Sequence, residues 1–441
     1  MSLPFSSFPH VSVFLLALSA AILADRAAAQ APAETENAAD NYLAAAVMFK
    51  GSAEGENDAC TVIEKGWVGK HPDFEDHLFL NSDALAELRE GFRKPHCSMP
   101  AVEGFDDPLP YMGSFRSMAR LLLAEGRMFE GKGEYEKAYQ DFTDVVKLGR
   151  DIPQNGVLIH YLVGIAIENM AFNVIRNSLK DPGAPAEVYA KAARRLEELE
   201  ASEPALAEAL RQESEGTRKA VEQAVFRAYA RLVETVHPES ACFPPLFLLQ
   251  ACTNVPKWFQ KSGDLLALSG ALGVPVIWVL YPPNVTTALA NLKKYGDIAV
   301  RRAGMPYPEA VKIPLPIPDD LISKAIVPAC ERVQVLYAGR CVRASATRTM
   351  AALVAYKKVH GRFPESLDAV VSAAAPPRTD APFSRMPLDA FSDRPLRYKP
   401  VGEGFVLYSI GPDMVDDRSE RECPASLAAA SKGDIVFRLN R

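Results

Sequence analysis

A chain of 441 residues, 48% of them apolar, can bury a sizeable core and has the length of two or three domains. Its formal net charge is -6, and no arm or stripe of Lys and Arg stands out, which argues against a nucleic-acid partner. The 34 prolines cluster at 305–335 and 376–400, where they mark linkers and turns.

Residues 1–29 read as an export signal. Val11 to Leu23 is a 13-residue apolar run, the length of a signal core and short for a bilayer span. "RAAAQ" follows with small residues at Ala27 and Ala29, so cleavage is expected before Gln30. No Lys or Arg precedes the run, only His10; the alternative is an uncleaved amphipathic anchor.

Export permits disulfides among the seven Cys. Cys242 and Cys252 bracket a Pro-containing turn and are the best-placed pair. Cys330 and Cys341 are separated by about 16 Å if the stretch between them is helical, too far for a bridge. No Cys-x-x-Cys occurs, so neither a zinc ribbon nor a thioredoxin-type site is supported.

Residues 30–304 read as a helical domain. "AADNYLAAAVMFK" (38–50) has helical composition, while 51–110 is mixed and carries no firm assignment. Residues 114–150 predict a helix, a Gly-containing turn and a second helix. Gly126, Phe129, Gly133, Tyr135, Ala138 and Phe142 fall at the spacing of a tetratricopeptide repeat, and this stretch resembles a single copy. Gly126 and Ala138 would let the helices approach, with Phe129 and Phe142 filling the groove. Residues 156–179 are apolar nearly all round and predict a buried helix. Residues 184–235 predict two long helices broken near "ASEP" at 201–204.

"DLLALSGALGVPVIWVLY" (264–281) sits at the lower limit for a membrane span. It is read either as a buried or interfacial segment kinked at Pro275 or as a route to membrane association. Residues 305–335 are expected as a Pro-rich linker, extended at least to 325.

From 336 to 441 the pattern changes to a small α+β module. A helix ends at His360-Gly361, its apolar positions Met350, Leu353, Val354 and Ala355 on one side. "RFPESLDAVV" starts a short second helix. "PLDAFSDRPLRYKP" and "GFVLYSIGPD" supply two strands around the "VGEG" turn. In the second, Phe405, Leu407 and Ser409 face one way and Val406, Tyr408 and Ile410 the other. "GDIVFRL" (433–439) offers a third strand.

This order resembles the globular end of the major pseudopilin of type II secretion systems. "ALVAYKKVHGRFPESLDAVV" is similar to the end of the pilin helix, its Gly-x-Tyr/Phe-Pro turn and short helix. "PLDAFSDRPLRYK" is similar to the family's Asp-Pro-(Trp/Phe)-Gly-x-Pro-(Leu/Tyr)-x-Tyr strand, with Leu388-Asp389-Ala390-Phe391 altered at its start. "GFVLYSIGPDMVDD" is similar to its Tyr-Ser-x-Gly-x-Asp-Gly loop, and "GDI" to its closing Asp-Ile. The similarity spans roughly 340–441. The prepilin peptidase site and the long assembly helix that open the family's chains have no counterpart here, so filament building is not carried over.

The resemblance implies a calcium site in the acidic loop. Asp413 and Asp434 match best, with Asp416 or Asp417 as a further oxygen donor. The residues themselves also allow a solvated acidic turn held by Asx bonding, and the spacing excludes an EF-hand.

Standard catalytic signatures are missing: no Gly-x-Ser-x-Gly, His-Glu-x-x-His, P-loop or complete Gly-x-Gly-x-x-Gly occurs. "HPDFEDHLF" places His71, Asp73, Glu75, Asp76 and His77 within seven residues, a candidate zinc cluster with His96 and Cys97 as outside ligands, or a polar turn. Tyr161 and Glu168 share a face of the buried helix. Glu168 could act as an acid, or pair with an Arg such as Arg176, or cap a neighbouring helix.

The sequence therefore reads as mainly α, a helical-hairpin or bundle domain followed by a pseudopilin-like α+β module. The expected function is an exported, non-catalytic bacterial envelope protein in periplasm or at the cell surface. It would act as scaffold or protein-interaction component with other envelope proteins, linked to secretion or surface assembly. Two alternatives are an envelope hydrolase with its site in the helical domain and a membrane-anchored subunit spanning through 264–281.

Overall fold

The computed structural model describes residues 37–102, 109–180, 182–202, 206–236, 282–315, 321–372, 378–424, 426–428 and 430–439. The expected signal, the Cys242–Cys252 pair and the 264–281 segment lie outside the described residues.

The unassigned region after residue 50 is largely helical as far as Arg93. Helix α1 (Ala38–Met48) starts at Asn37, whose side chain accepts the Ala39 N–H. Helix α2 (Ala53–Lys65) is capped by Ser52, which accepts the Gly55 N–H. Two more follow, α3 (Pro72–Leu80), with proline in its first turn, and α4 (Ser82–Arg93). Helices this short are marginal alone. Burial of Phe74, Leu85 and Leu88 against the rest of the body holds them.

The expected hairpin forms from α5 (Tyr111–Gly131) and α6 (Tyr135–Asp151). A Cβ on Gly126 would stand 2.5 Å from the Phe142 ring and 3.1 Å from the Ala138 carbonyl oxygen, so only glycine permits this approach. Helix α7 (Leu158–Ser178) is the apolar one. It is long and apolar enough to cross a membrane, but 61% of its apolar window is buried inside the protein, as expected of a core helix. Glycines bring α6 and α7 into backbone contact: a Cβ on Gly164 would lie 2.3 Å from the Gly149 carbonyl oxygen. Helices α8 (Ala186–Ala201) and α9 (Leu206–Val236) flank the expected break. Then come α10 (Pro282–Ala303), packed on α9, and the single turn α11 (Tyr307–Ala310).

The expected linker is only partly extended. Helix α12 runs from Leu321 to His360, forty residues in one element, so 321–335 is helical. The reason is local. Between 321 and 335 there is a single proline, Pro328, the eighth residue of the helix, and the rest of the run is compatible with helix. Cys330 and Cys341 consequently lie three turns apart on one helix. The proposed module boundary at 336 falls inside that helix, which packs against α7, α8 and α10. It ends at Gly361, with φ of 77° and its N–H on the Lys357 carbonyl.

The chain then makes a 3-10 turn (Leu367–Val370) and a short ladder of β1 (Leu388–Asp389) with β2 (Arg394–Pro395). An antiparallel sheet follows in the order β3 (Arg397–Val401), β4 (Gly404–Ser409), β5 (Ile435–Leu439). Val401 pairs with Gly404 across a two-residue turn containing Gly402 at φ 57°, and Ser409 pairs with Ile435. Phe405, Leu407 and Ser409 are buried, so the expected alternation and third strand are both present. One apolar cluster runs from Tyr42 through Phe142 and Leu353 to Phe405 and Phe437. The helical body and the C-terminal module thus share a core, with α12 as the common element.

Candidate functional site

The acidic loop folds around its own backbone. Asp434 is fully buried, and its two oxygens accept the N–H groups of Asp417 (3.4 Å) and Ser419 (2.6 Å). Burial raises its carboxyl above the ordinary range, while those donors pull the other way. Asp413 accepts from Val415 and Gly433. Asp416 accepts from Tyr408 and from the Arg418 N–H, and lies 3.5 Å from the Arg397 guanidinium. Met414, Arg418 and Ser419 take positive φ to wrap these donors inward. Calcium needs six to eight oxygens converging on one point. No group of three or more His, Cys, Asp or Glu side chains with that convergence occurs among the described residues.

The organising carboxylate of this end is Asp389, in the altered strand start Leu388-Asp389-Ala390-Phe391. It is fully buried and accepts from the Phe391 and Ile410 N–H groups, the Ser392 and Ser409 hydroxyls and Arg397 Nη1. The signal for it was an acidic residue inside an otherwise apolar strand start.

The His71–His77 cluster does not converge. His71 precedes α3 and pairs with Asp58 at 2.7 Å, under the Trp67 ring. His77 is buried beside Asn81, and Asp73, Glu75 and Asp76 face solvent. Cys97 is buried, which pushes its thiol well up. His96 bridges to Asn37 through the backbone.

Glu168 has partners other than the expected Arg176. Its Oε1 accepts from Arg340 Nη1 on α12 at 2.9 Å, and its Oε2 lies 3.5 Å from Arg150 Nη2 on α6. Arg176 stands two turns further along α7, about 12 Å away by helical rise. It bonds Thr347 and Asn173 instead, and burial with the neighbouring Arg343 charge lowers its guanidinium to about 9. Tyr161 packs against Tyr337 at 6.1 Å, so α7 and α12 run side by side in parallel. The pairings with α12 join segments some 170 residues apart and leave no trace in local sequence.

A second buried set continues from this one. Arg348 on α12 meets Glu200 at 2.9 Å and Glu197 at 3.4 Å, both on α8. Glu197 also accepts the Ser384 and Arg385 N–H groups, tying the C-terminal module to the helical body. Between these elements lies a cavity of about 520 Å³ lined by Arg150, Gln334, Tyr337, Cys341, Arg348 and Met386, among others. Arg150 is 1% exposed, yet its Nε and Nη1 have no hydrogen-bond partner. A third ionic set sits in the hairpin, where Arg89 bridges Glu125 (2.5 Å) and Asp141 (3.4 Å). Burial and the Glu125 charge raise Asp141 to about 8 against the pull of Arg89.

Compared with known proteins, the chain matches no family model, no curated protein and no solved structure. The tetratricopeptide and pseudopilin resemblances therefore stand on the quoted residues alone.

Proposed function

We propose that this chain is an exported, non-catalytic protein of the bacterial envelope, a scaffold or interaction component at a secretion or surface assembly. The observation that carries the reading is α12. One helix begins in the helical body and ends at the three-stranded sheet, followed by short turn helix, hairpin, acidic loop and closing strand. That is the element order of the pseudopilin-like motifs. Packing of α7, α8 and α10 on the helix supports a head presented on a platform rather than a filament subunit.

Calcium enters this reading from the resemblance only. The hydrolase alternative has less support. Glu168 is closed between two arginines, and His71 and His77 have separate partners.

The test combines location, contact and turnover. The mature chain should begin at Gln30 and fractionate with the envelope. A photo-reactive residue in place of Val401, exposed on edge strand β3, should crosslink to defined envelope proteins in intact cells. Reproducible hydrolysis of peptidoglycan, ester or peptide substrates by the purified chain would overturn the reading.

A further inference from the structure

We propose that the groove between α2, α5, α7 and β5 binds the phosphoryl group of a phosphate monoester with an apolar body. Its polar side is one face of α7 and the turn that ends it. Asn173, Arg176, Asn177 and Lys180, spaced by three and four residues, line the groove together. Arg176 Nη2 donates to Asn173 Oδ1, and Lys180 Nζ donates to Asn177 Oδ1 at 2.9 Å. Both amide oxygens are thereby used, so these four side chains offer a ligand N–H donors and no acceptor.

Arg176 is the centre of the site. Its Nη1 donates to the Thr347 hydroxyl at 2.8 Å, so two of its five N–H groups are used. Neither Arg176 nor Lys180 forms an ion pair among the described residues. Arg176 is half-buried, and its Nε, which has no partner there, is open to solvent where that of Arg150 is sealed. The Phe437 ring, its centre 5.3 Å from Arg176 Cζ, holds the fork in place. Burial and the neighbouring Arg343 charge lower Arg176 to about 9. It is therefore still charged at neutral pH, in a place that disfavours the charge, and an anion relieves that cost.

The rest of the groove narrows the ligand. Arg120 lies 3.7 Å from Glu56 and Arg438 pairs with Glu422, so both are already matched, and the acid in the lining, Glu64, is exposed on α2. The unmatched cations are Arg176 and Lys180. With the two amides they keep more free N–H groups than the about four acceptor sites of a carboxylate can use. A guanidinium fork beside an ammonium suits the three terminal oxygens of a phosphoryl group. Ile63, Leu123, Met170 and Phe437 give the groove an apolar side, and about 490 Å³ accommodates the phosphoryl group with a ring or short chain. This site stands independently of the scaffold reading.

The experiment is calorimetric titration of the purified full chain, in phosphate-free buffer, with phenyl phosphate, and with benzoate and phenol as controls. One-to-one binding of phenyl phosphate is expected, with benzoate at least about tenfold weaker and phenol silent. Arg176→Gln and Lys180→Glu should each weaken phenyl phosphate by at least about tenfold while circular dichroism stays native. Lys293→Glu, an exposed site on α10 outside the groove, makes the same charge change and should leave binding intact. Absence of phenyl phosphate binding, equal binding of benzoate, binding that survives both groove variants, or equal loss in Lys293→Glu would each overturn the proposal. If Arg176→Gln does not fold, Lys180→Glu and the benzoate comparison decide. Sedimentation with phosphatidylcholine vesicles, with and without phosphatidic acid, separates the two sources of the group. Retention that needs both phosphatidic acid and Lys180 assigns a lipid headgroup, and phenyl phosphate binding without retention assigns a soluble ester.

Discussion

The Ser409 hydroxyl donates to Asp389 Oδ1 at 2.6 Å, closing a buried link between the start of the β1–β2 ladder and the end of β4. Asp389 takes four further donors, so one carboxylate sets the relative position of the ladder, the central strand and the turn after it. Removing one partner of a buried charged set leaves the others unpaired. Asp389→Ala should destabilise the chain by about 3–5 kcal/mol. Ser409→Ala, which removes one donor of five, should cost about 1–2 kcal/mol. Chemical denaturation followed by tryptophan and far-ultraviolet signals measures both. Equal effects would mean that Asp389 is held by Ser409 alone.

The contact of Gly149 with Gly164 places Arg150 beside Glu168. A methyl group on Gly164 would meet the Gly149 carbonyl oxygen at 2.3 Å, against a rigid helix backbone. Gly164→Ala should force α6 and α7 apart and lower stability by about 1–3 kcal/mol, an overpacking cost. Gly113, with nothing within 4 Å of its Cβ position, is the control, and Gly113→Ala should be neutral or slightly stabilising. Thermal melts of the two variants side by side make the comparison.

Asp141 gives the hairpin a stability that depends on pH. In the unfolded chain its carboxyl titrates in the ordinary range, and in the fold at about 8. Between those values the folded state holds a proton that the unfolded state has lost. The contribution is complete below the unfolded value and lost as pH rises through about 8. The slope can reach about 1.4 kcal/mol per pH unit. Asp141→Asn, a mimic of the protonated form, should flatten that decline. A difference from the parent that does not grow with pH would exclude the effect.

His160 acts on the acid side. Burial lowers it to about 4, and its Nε2 meets the Tyr111 hydroxyl. As pH falls below the ordinary imidazole range, the unfolded chain takes up a proton before the fold does. Stability should drop from there down to about 4 and level off below. His160→Gln should remove this acid-side slope, read from melting temperatures across the acid range.

The helical hairpin, the buried α7 and the alternation of β4 were legible because each follows from local period and from glycine or turn chemistry. Gly126 against Phe142 is such a case: spacing alone predicts the close approach. The 51–93 helices went unassigned: two of the three are weakly patterned, while the third, Ser82–Arg93, has its buried Leu85, Leu88 and Phe92 at helical spacing and could have been read. The linker was overdrawn because prolines at 306, 308, 314, 316 and 318 suggested that one more, Pro328, belonged to the same extended run. Least legible was the buried ionic set around Glu168. Arg150, Glu168 and Arg340 come from three elements, and no local pattern states that an arginine on α6 will have unmet donors at a junction with α12.

The acidic loop separates two physical pictures of the same four aspartates. If backbone donors hold it, Asp434 is the anchor, since it is fully buried and receives N–H groups from both Asp417 and Ser419. Asp434→Ala should then destabilise the C-terminal sheet by about 1–3 kcal/mol, because those half-buried N–H groups lose their acceptor. The parent should melt at the same temperature with chelator and with added calcium. If the loop is instead a metal shell, calcium should raise the melting temperature by mass action. Calorimetry would then show a stoichiometric heat that disappears in Asp413→Ala and Asp434→Ala. The donor geometry leads us to expect the first result. A saturable calcium heat abolished by those two substitutions would show that the loop rearranges around the ion, and would move the pseudopilin resemblance from sequence order to shared chemistry.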